Sequence, residues 1–547
     1  MAENVLYYGD NLDILRRYVE DETVDLIYLD PPFKSEQDYN VLFAEQNGSR
    51  AAAQIKAFED TWQWDQTAAG AYRQVVESGP ARVSLVMQAF RTFLGESDMM
   101  AYLAMMAPRL VELRRVLKST GTLYLHCDPT ASHYLKMLMD AVFDPVNFRN
   151  EIVWKRSQPK SHTRLRFSRA HDVILCFAKT EQATFHHQYT QSKEEYLEKF
   201  YRHVEPETGR RYTLGDLTNP NRNRPNLTYE FPPGSGVVRV WRWTRERMMD
   251  AWKKGLIVIP KKGDVARYKR YLDEMPGRPV TDIWDDIEHL HGSHRESLGY
   301  PTQKPEALLE RIIKTSSNRK DVVLDPFCGC GTAVVVAERL RRRWRGIDIT
   351  HLAVALVKHR LKDVFGNRAK YGIVGEPVSL PDARTLSQTD PYQFQWWALG
   401  LVGARPVEQK KGADRGIDGR LYFHDEADSK KTKTKQIVIS VKSGKVSVKD
   451  VRDLRGVVER EQAQIGALIT LQEPTRDMLK EAATGGFYKS PWGNKQHPKL
   501  QILTIEDLLA GRSLDCPPLG QVNVTFKRAP KAKRETMEHP EIDYPEQ

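Results

Sequence analysis

The chain has 547 residues, too many for one ordinary domain, and its length suggests about three. Its 83 Lys and Arg against 72 Asp and Glu give a net charge of +11, which favours polyanionic partners such as nucleic acid. No apolar stretch approaches the roughly 20 residues that span a bilayer, the N-terminus lacks an apolar signal core, and five scattered cysteines argue against a disulfide framework. We therefore expect a cytoplasmic protein without membrane contact.

Short apolar runs alternate with helical patterns over about the first 370 residues. The predicted strands are 24–30, 121–127, 322–324 and 344–349, and the predicted helices are 103–116 and 333–342. A continuous apolar run that ends at a turn indicates a buried parallel strand, and this alternation predicts an α/β fold with a doubly wound, Rossmann-like sheet. We place the basic run 339–345 near a helix C-terminus, where cations suit the helix dipole.

Composition divides the chain further. The predicted segments are two halves of the sheet at 1–154 and 296–375, an insertion at 155–295, a C-terminal domain at 385–527 and a charged, disordered tail at 528–547. The insertion is rich in Arg, Lys, Asn, Pro and aromatic residues, which indicates a less regular module. In the C-terminal domain, 437–441 and 467–470 are strand candidates.

The first candidate site is the turn 325–332, Asp-Pro-Phe-Cys-Gly-Cys-Gly-Thr. Gly329 and Gly331 permit a close backbone approach to a ligand at the carboxyl end of a parallel strand, where α/β folds bind cofactors. After the next helix, Asp348 can accept two hydrogen bonds from ribose hydroxyls. Taken alone, the segment is also compatible with a plain tight turn.

Other ligands fit this turn less well. It lacks the third glycine of the dinucleotide fingerprint, and no Gly-Lys-Ser/Thr follows as in a P-loop. Cys328 and Cys330 have no second Cys/His pair at zinc spacing, so we expect them to be small packing residues.

The second candidate site is the loop Asp30-Pro31-Pro32-Phe33. An exocyclic amino nitrogen of a base is a poor nucleophile, because its lone pair is delocalised into the ring. The Asp30 carboxylate and the Pro31 carbonyl can each accept one of its N–H groups and so stabilise the positive charge that builds during attack on a methyl donor. Pro31 and Pro32 fix the loop, and Phe33 offers a stacking face for a flipped base. A common strand-ending turn is the alternative, which the pairing with the glycine turn disfavours.

With both motifs in this order, the sequence resembles the β-class amino-methyltransferases of bacterial restriction–modification systems. In that family the catalytic loop precedes a target-recognition region and the cofactor turn comes last, as here over about residues 1–370. Gly9-Asp10, Asn150-Glu151-Ile152-Val153-Trp154-Lys155-Arg156 and Thr302-Gln303-Lys304-Pro305 resemble further family elements. The resemblance implies S-adenosylmethionine as cofactor, bound by Asp10, Thr302, Lys304, Asp325, Phe327, Gly329, Gly331 and Asp348.

The resemblance also bears on the target base and its reading. Asp in the first position of the loop favours adenine N6, whereas relatives that act on cytosine N4 more often begin with Ser, and cytosine stays open. Arginines interleaved with aromatic residues in the insertion suit phosphate contacts and base-edge readout. The candidate contacts are Arg222, Arg224, Arg239, Arg242 and Arg245, although for any single arginine a solvated surface is the better interpretation.

In the last third, Asp418 and the strand ending at Lys442 resemble the metal-and-lysine pattern of restriction-endonuclease-like domains of the Mrr-like branch. The resemblance implies Mg²⁺ at Asp418, with Lys442 helping to activate water and stabilise charge on a phosphate. Ser440 departs from the pattern, since a carboxylate or glutamine is expected there, and Glu408 is a candidate second acid. The pattern predicts a nuclease-like fold and leaves cleavage open.

Three functions follow as hypotheses. The first is a site-specific DNA adenine methyltransferase with a nuclease-like appendage, for which cleavage of unmethylated DNA stays open, and the second is a modification-only enzyme whose C-terminal domain binds DNA. The third, a non-enzymatic DNA-binding scaffold, is disfavoured by the intact Asp30 and glycine turn. Double-stranded DNA is the expected substrate, while RNA or protein substrates, a homodimer and a separate restriction subunit stay open.

Overall fold

The computed structural model describes residues 3–32, 64–156, 165, 167–190, 194–260, 265–290, 294, 296–298, 302–407, 416–423, 434–490 and 495–517. Phe33, Glu408 and the tail 528–547 lie outside these ranges. The chain divides into two compact units. The first unit is Met1–His186 with Asp282–Gln547, and the second is His187–Thr281.

Strands and helices alternate at the start of the first unit. The strands are β1 (Val5–Tyr8), β2 (Val24–Leu29), β3 (Leu117–Cys127), β4 (Phe148–Lys155) and β5 (His171–Ala178). The helices are α1 (Asn11–Tyr18), α2 (Gln66–Ser78), α3 (Ala81–Leu94), α4 (Asp98–Val116) and α5 (Ser132–Phe143). Helix α4 begins earlier than predicted because the Ser97 side chain caps it, accepting a hydrogen bond from Met100 N at 3.3 Å.

The second unit consists of short strands around a small aromatic core. Its elements are β6 (Tyr189–Thr190), α6 (Glu194–Phe200), β7 (His203–Val204), β8 (Arg211–Asp216), β9 (Thr228–Glu230), β10 (Val238–Val240), α7 (Arg245–Lys253), β11 (Ile257–Val258), β12 (Arg267–Tyr271) and β13 (Arg278–Pro279). Phe231, Trp241 and Met248 are buried at its centre. This unit falls within the predicted insertion 155–295, and it is shorter because β5 and the chain from Asp282 onward belong to the first unit.

The first unit resumes with β14 (Ile283–Trp284), α8 (Glu306–Ser316), β15 (Val322–Asp325), α9 (Thr332–Arg339), β16 (Arg343–Asp348), α10 (His351–Phe365) and β17 (Gly372–Val374). Among the described residues, nine strands form one sheet in the order β14-β4-β5-β3-β2-β15-β16-β1-β17. Its central strands run parallel, and β5 is antiparallel to both neighbours. The predicted α/β, doubly wound sheet is confirmed.

Helix α9 ends at Arg339, three residues before the predicted end at Arg342. The chain reverses through Arg341, which has a φ of +58°, and Arg342 N donates to Ala337 O at 2.9 Å. Strand β16 then begins at Arg343, so the basic run 339–345 starts at the C-terminus of α9, as expected, and continues through a turn into β16.

The C-terminal part carries a second sheet. Its elements are α11 (Leu380–Thr389), α12 (Pro391–Leu401), β18 (Arg405–Pro406), β19 (Gly419–Phe423), β20 (Lys435–Lys442), α13 (Val448–Arg460), β21 (Ile465–Thr470), α14 (Arg476–Ala483), β22 (Phe487–Lys489), β23 (Gln496–Pro498), β24 (Leu500–Thr504) and α15 (Ile505–Leu509). The described strands order as β18-β19-β20-β21-β24, with β20, β21 and β24 parallel. The strands predicted at 437–441 and 467–470 are β20 and β21.

The cysteines and the helices bear on the expectations about disulfides and membrane spans. All five cysteines lie in the described part of the chain, and each is a free thiol. Every helix within the described ranges is too short or too polar to serve as a membrane-spanning segment.

Candidate active site

Four neighbouring parallel strands end at one edge of the large sheet, and each end carries an aspartate. Asp30 follows β2, Asp325 and Asp348 are the last residues of β15 and β16, and Asp10 follows β1 after one glycine. The register pairs Leu324 with Ile27 and Tyr8 with Asp348, which aligns the strand ends. We call this place the acidic edge. It brings together residues from both predicted sites.

Asp30 has a cationic partner. The Lys304 ammonium forms an ion pair with Asp30 Oδ2, and both side chains are mostly buried. Lys304 precedes α8, in the segment that the resemblance assigned to the cofactor. It therefore joins that segment to the catalytic loop. Pro31 is buried, and Pro32 is half-buried.

The glycine turn is held by backbone hydrogen bonds and by two left-handed residues. Gly329 and Gly331 have φ values of +47° and +73°. A Cβ at Gly331 would lie 2.8 Å from Val357 Cγ2, so both conformation and space require glycine there. Phe327 N donates to Asp325 Oδ1 at 3.1 Å, and Gly331 N donates to Cys328 O at 2.7 Å.

Asp348 fastens this turn to the start of α10. Its Oδ2 accepts from Gly329 N, and its Oδ1 accepts from both the N–H and the hydroxyl of Thr350, all at 2.9 Å. Burial raises the pKa of Asp348 to about 6, against these hydrogen bonds, which favour the carboxylate. The side chain expected to contact ribose thus also fixes the geometry of the glycine turn.

Asp10 is the N-cap of α1, accepting from Leu12 N and Asp13 N. Its other oxygen accepts from Arg109 Nη2 at 2.6 Å, and Arg109 Nε donates to Asn11 Oδ1 at 2.6 Å. Asn11 in turn donates to Pro326 O at 2.8 Å, inside the glycine turn. Arg109 lies within the periodic pattern of α4, and no motif singled it out.

A second missed group is a buried ion cluster behind the glycine turn. Arg360, 1% exposed, donates to Cys330 O at 3.1 Å, to Thr332 Oγ1 at 3.0 Å and to Glu306 Oε1 at 2.8 Å. Arg339 donates to the other Glu306 oxygen at 2.6 Å. Glu306 directly follows Lys304-Pro305, which was the one available sequence signal, and the cluster ties that segment to the turn.

A third missed group lies under the catalytic loop. The Tyr28 hydroxyl is 3.0 Å from His126 Nδ1, and His126 Nε2 is 3.2 Å from Asp172 Oδ2. Arg156 pairs with the other Asp172 oxygen at 3.3 Å. Burial opposes ionisation of Asp172, but His126 and Arg156 outweigh it and lower its pKa to about 2. A fixed negative charge therefore lies beneath the strand that carries Asp30.

Asp325 differs from the other acids of the edge. It is 4% exposed. Burial raises its pKa to about 8; the Phe327 N–H opposes this, and the charges of Asp30 and Asp348 add to it. Asp325 is thus largely protonated at neutral pH, which relieves repulsion among the four carboxyl groups.

In the C-terminal domain, protein groups surround the Asp418 carboxylate. Oδ1 accepts from Gln395 Nε2 at 2.7 Å, and Oδ2 accepts from Val441 N at 2.6 Å and Ser440 Oγ at 3.1 Å. Lys442 ends β20, two residues after Ser440. Over the described residues, no three His, Cys, Asp or Glu side chains group as metal ligands.

In the second unit, the five candidate DNA-contacting arginines are exposed: Arg222, Arg224, Arg239, Arg242 and Arg245. Arg242 Nε donates to Thr218 O at 2.9 Å, which fixes its direction on the surface. Their exposure agrees both with DNA contact and with a solvated surface.

The protonation of Asp325 predicts a pH-dependent stability difference. The native state binds this proton more tightly than the unfolded chain, where the pKa is near 3.8, so ionisation penalises folding as the pH rises from about 4 to about 8. Asp325→Asn should gain stability relative to the wild type between pH 5 and pH 8, measured as the difference in thermal unfolding midpoint. Asp363→Asn, on the exposed face of α10, is the control. If the difference in unfolding midpoint between Asp325→Asn and the wild type stayed constant with pH, Asp325 would not be protonated in the native state at neutral pH.

Comparison with known proteins agrees with this geometry. The DNA methylase family of N6/N4 methyltransferases matches residues 24–359. The Type II methyltransferase M.EcaI of Enterobacter cloacae is 28% identical over 316 residues, 54% of this chain and 68% of the relative. The StyLTI Mod subunit, a Type III restriction-modification enzyme of Salmonella typhimurium, is 27% identical over 344 residues, 60% of this chain but only 49% of the relative.

Two further matches concern the fold and the C-terminal part. Among solved structures, the PvuII cytosine-N4-specific DNA methyltransferase aligns with a TM-score of 0.30 and 15% identity, over 65% of this chain and 85% of that one. A second family, described as NACHT-associated inactive Restriction Endonuclease 1, matches residues 393–510. The resemblances inferred from the motifs are confirmed: the chain belongs to the N6/N4 DNA methylase family and carries a C-terminal restriction-endonuclease-related domain.

Proposed function

We propose that the chain transfers a methyl group from S-adenosylmethionine to the exocyclic amino group of a base flipped out of double-stranded DNA, with adenine N6 as the favoured target. The observation that carries the proposal is the acidic edge, where Asp30 of the catalytic loop and Asp325 of the glycine turn end adjacent parallel strands. The proposed place of this reaction is the cytoplasm.

The residues of the acidic edge fit the proposed cofactor. Bound S-adenosylmethionine supplies an activated methyl group on a positively charged sulfur, and it carries ribose hydroxyl and amino donors. Carboxylates and an open glycine turn suit such a cation. The residues proposed to hold it are Asp10, Thr302, Lys304, Asp325, Phe327, Gly329, Gly331 and Asp348. Among them, Asp348 and Gly329 already position each other through their hydrogen bond.

Asp30 and Pro31 act on the target nitrogen. With Lys304 on Asp30 Oδ2, the other oxygen, Oδ1, is the atom proposed to accept one N–H of the amino group, while the Pro31 carbonyl accepts the other. Both acceptors draw the nitrogen towards tetrahedral geometry and stabilise its growing positive charge. Asp30 Oδ1 is also proposed to take the proton that the nitrogen loses. Lys304 keeps the carboxylate in one orientation throughout.

Binding of the base and of the DNA completes the proposal. Phe33 is proposed to stack on the flipped base, as Pro32 fixes the loop. The exposed arginines of the second unit are proposed to contact phosphates and base edges. Asp at the head of the loop favours adenine, and cytosine N4 is the alternative within the same mechanism.

We favour an enzyme that methylates DNA and whose C-terminal domain does not cleave it. The resemblance assigns Mg²⁺ to Asp418, but the Asp418 oxygens accept hydrogen bonds from Gln395, Ser440 and Val441, and Ser440 stands where a metal-binding side chain is expected. The domain is proposed to contribute DNA binding. The alternative is a fused enzyme in which Asp418 and Lys442 cut unmethylated DNA with Mg²⁺, alone or with a restriction subunit.

Removal of the Asp30 carboxylate tests the catalytic assignment. We expect Asp30→Ala to lower transfer of a radiolabelled methyl group to DNA by at least about 100-fold, because one of two acceptors for the reacting amino group is lost. Binding of S-adenosylmethionine should persist, measured by calorimetry. The control is Asp363→Ala, an exposed acid on α10. Equal transfer by Asp30→Ala and the wild type would refute the role of Asp30.

Incubation of the full chain with unmethylated plasmid and Mg²⁺ tests the C-terminal domain. We expect no cutting, because both Asp418 oxygens accept hydrogen bonds from protein groups and Ser440 stands where a metal-binding side chain is expected. Mg²⁺-dependent cutting that disappears in Asp418→Ala or Lys442→Ala would instead establish the fused methyltransferase-nuclease.

A further inference from the structure

The C-terminal domain contacts the methyltransferase fold through α12, which packs against α10. A Cβ added at Gly400 would lie 3.6 Å from the Ala355 Cβ, so the two helices approach closely. Near the start of α12, Gln393 Oε1 accepts a hydrogen bond from the backbone N–H of His351 at 3.2 Å. Both residues are buried, with exposures of 9% and 1%.

This hydrogen bond falls at a sensitive point of α10. His351 is the first residue of the helix, and N–H groups of a first turn have no partner within the helix. Thr350 caps the helix by accepting from Ala353 N at 3.2 Å, while its N–H and hydroxyl hold Asp348. Gln393 therefore accepts a hydrogen bond from the His351 N–H. His351 directly follows Thr350, the residue that fixes the Asp348 carboxylate.

The same contact reaches β1. The His351 ring stacks on Tyr8, with centroids 3.6 Å apart and planes at 16°. Tyr8 ends β1 in register with Asp348, and Gly9 N donates to Asp348 O at 2.9 Å. Strand β1, which leads to Asp10, and the end of β16 at Asp348 are thus linked to His351, and Gln393 sets the position of His351.

Gln393 is itself fixed within α12. Asp390 caps this helix, accepting from Tyr392 N at 3.1 Å and Gln393 N at 3.0 Å. Two residues further on, Gln395 donates to Asp418. Helix α12 therefore has two glutamines with different partners. Gln393 contacts His351, close to the acidic edge, and Gln395 contacts Asp418 of the restriction-endonuclease-related domain.

We propose that Gln393 is a positioning residue of the methyl-donor site, supplied by the C-terminal restriction-endonuclease-related domain, and this rests on the proposed function. Through the His351 N–H it holds the start of α10, and so Thr350 and Asp348, in the geometry that binds the donor. The C-terminal domain is then part of the methyltransferase site as well as a DNA-binding appendage.

The test compares Gln393→Met with Gln395→Met in the full chain. Both replacements keep length and remove the amide, and both lie on the same helix two residues apart. We expect Gln393→Met to weaken binding of S-adenosylmethionine about three- to tenfold, as loss of one buried hydrogen bond implies, and to raise its KM with kcat nearly unchanged. Gln395→Met should bind S-adenosylmethionine within about twofold of the wild type. Binding is measured by calorimetry without DNA.

Gln393→Glu is the conservative variant. Its carboxylate still accepts from the His351 N–H and lies at a helix N-terminus, where negative charge is favourable, so affinity should stay close to that of the wild type. The proposal is overturned if Gln393→Met binds the donor normally, or if Gln395→Met weakens binding equally, which would indicate general loosening of α12. A wild-type chain that binds no S-adenosylmethionine would refute the proposed function itself, and this proposal with it.

Discussion

Parallel strand register places four carboxyl groups at one edge of a sheet, and this crowding of like charge governs the rest of the site. Each acid is accommodated differently: Asp30 by the Lys304 ammonium, Asp10 by Arg109, Asp348 by backbone N–H groups and Asp325 by retention of its proton. The resulting edge is rich in acceptors, yet little of its charge is unbalanced. Such an edge suits a donor that brings several hydroxyl and amino N–H groups as hydrogen-bond donors.

Rigidity around the edge comes from buried polar clusters. Arg360 and Glu306 connect the glycine turn to the segment of Lys304, and thereby to Asp30. A buried ion pair is weak evidence for stability, but removal of one partner leaves a costly unpaired charge, so the pair fixes one arrangement. Helix α12 adds support from a different domain. The glycine turn and Asp30 are thus linked through one network of buried contacts, in keeping with the proposed chemistry, which depends on positioning.

The sequence predicted the parts that depend on local pattern. Strand ends at Asp30 and Asp325 were visible because apolar runs stop at Pro and Gly, and the order of the two motifs carried the resemblance to the family. Arg360, Arg109 and Gln393 were not predictable, because each lies in an ordinary helical pattern and acts only through a distant partner. The end of α9 was missed by three residues, since a left-handed Arg341 leaves no composition signal. The roles of the site residues stay predictions.

Asp30 and the acidic edge are proposed to serve methylation of an exocyclic amino group in DNA. The most direct measurement is the nature and position of modified bases in DNA from a methylation-deficient host that expresses the chain, by mass spectrometry of nucleosides and sequencing. We expect N6-methyladenine confined to one short sequence. DNA without any methylated amino group would contradict it, and N4-methylcytosine alone would contradict the choice of adenine.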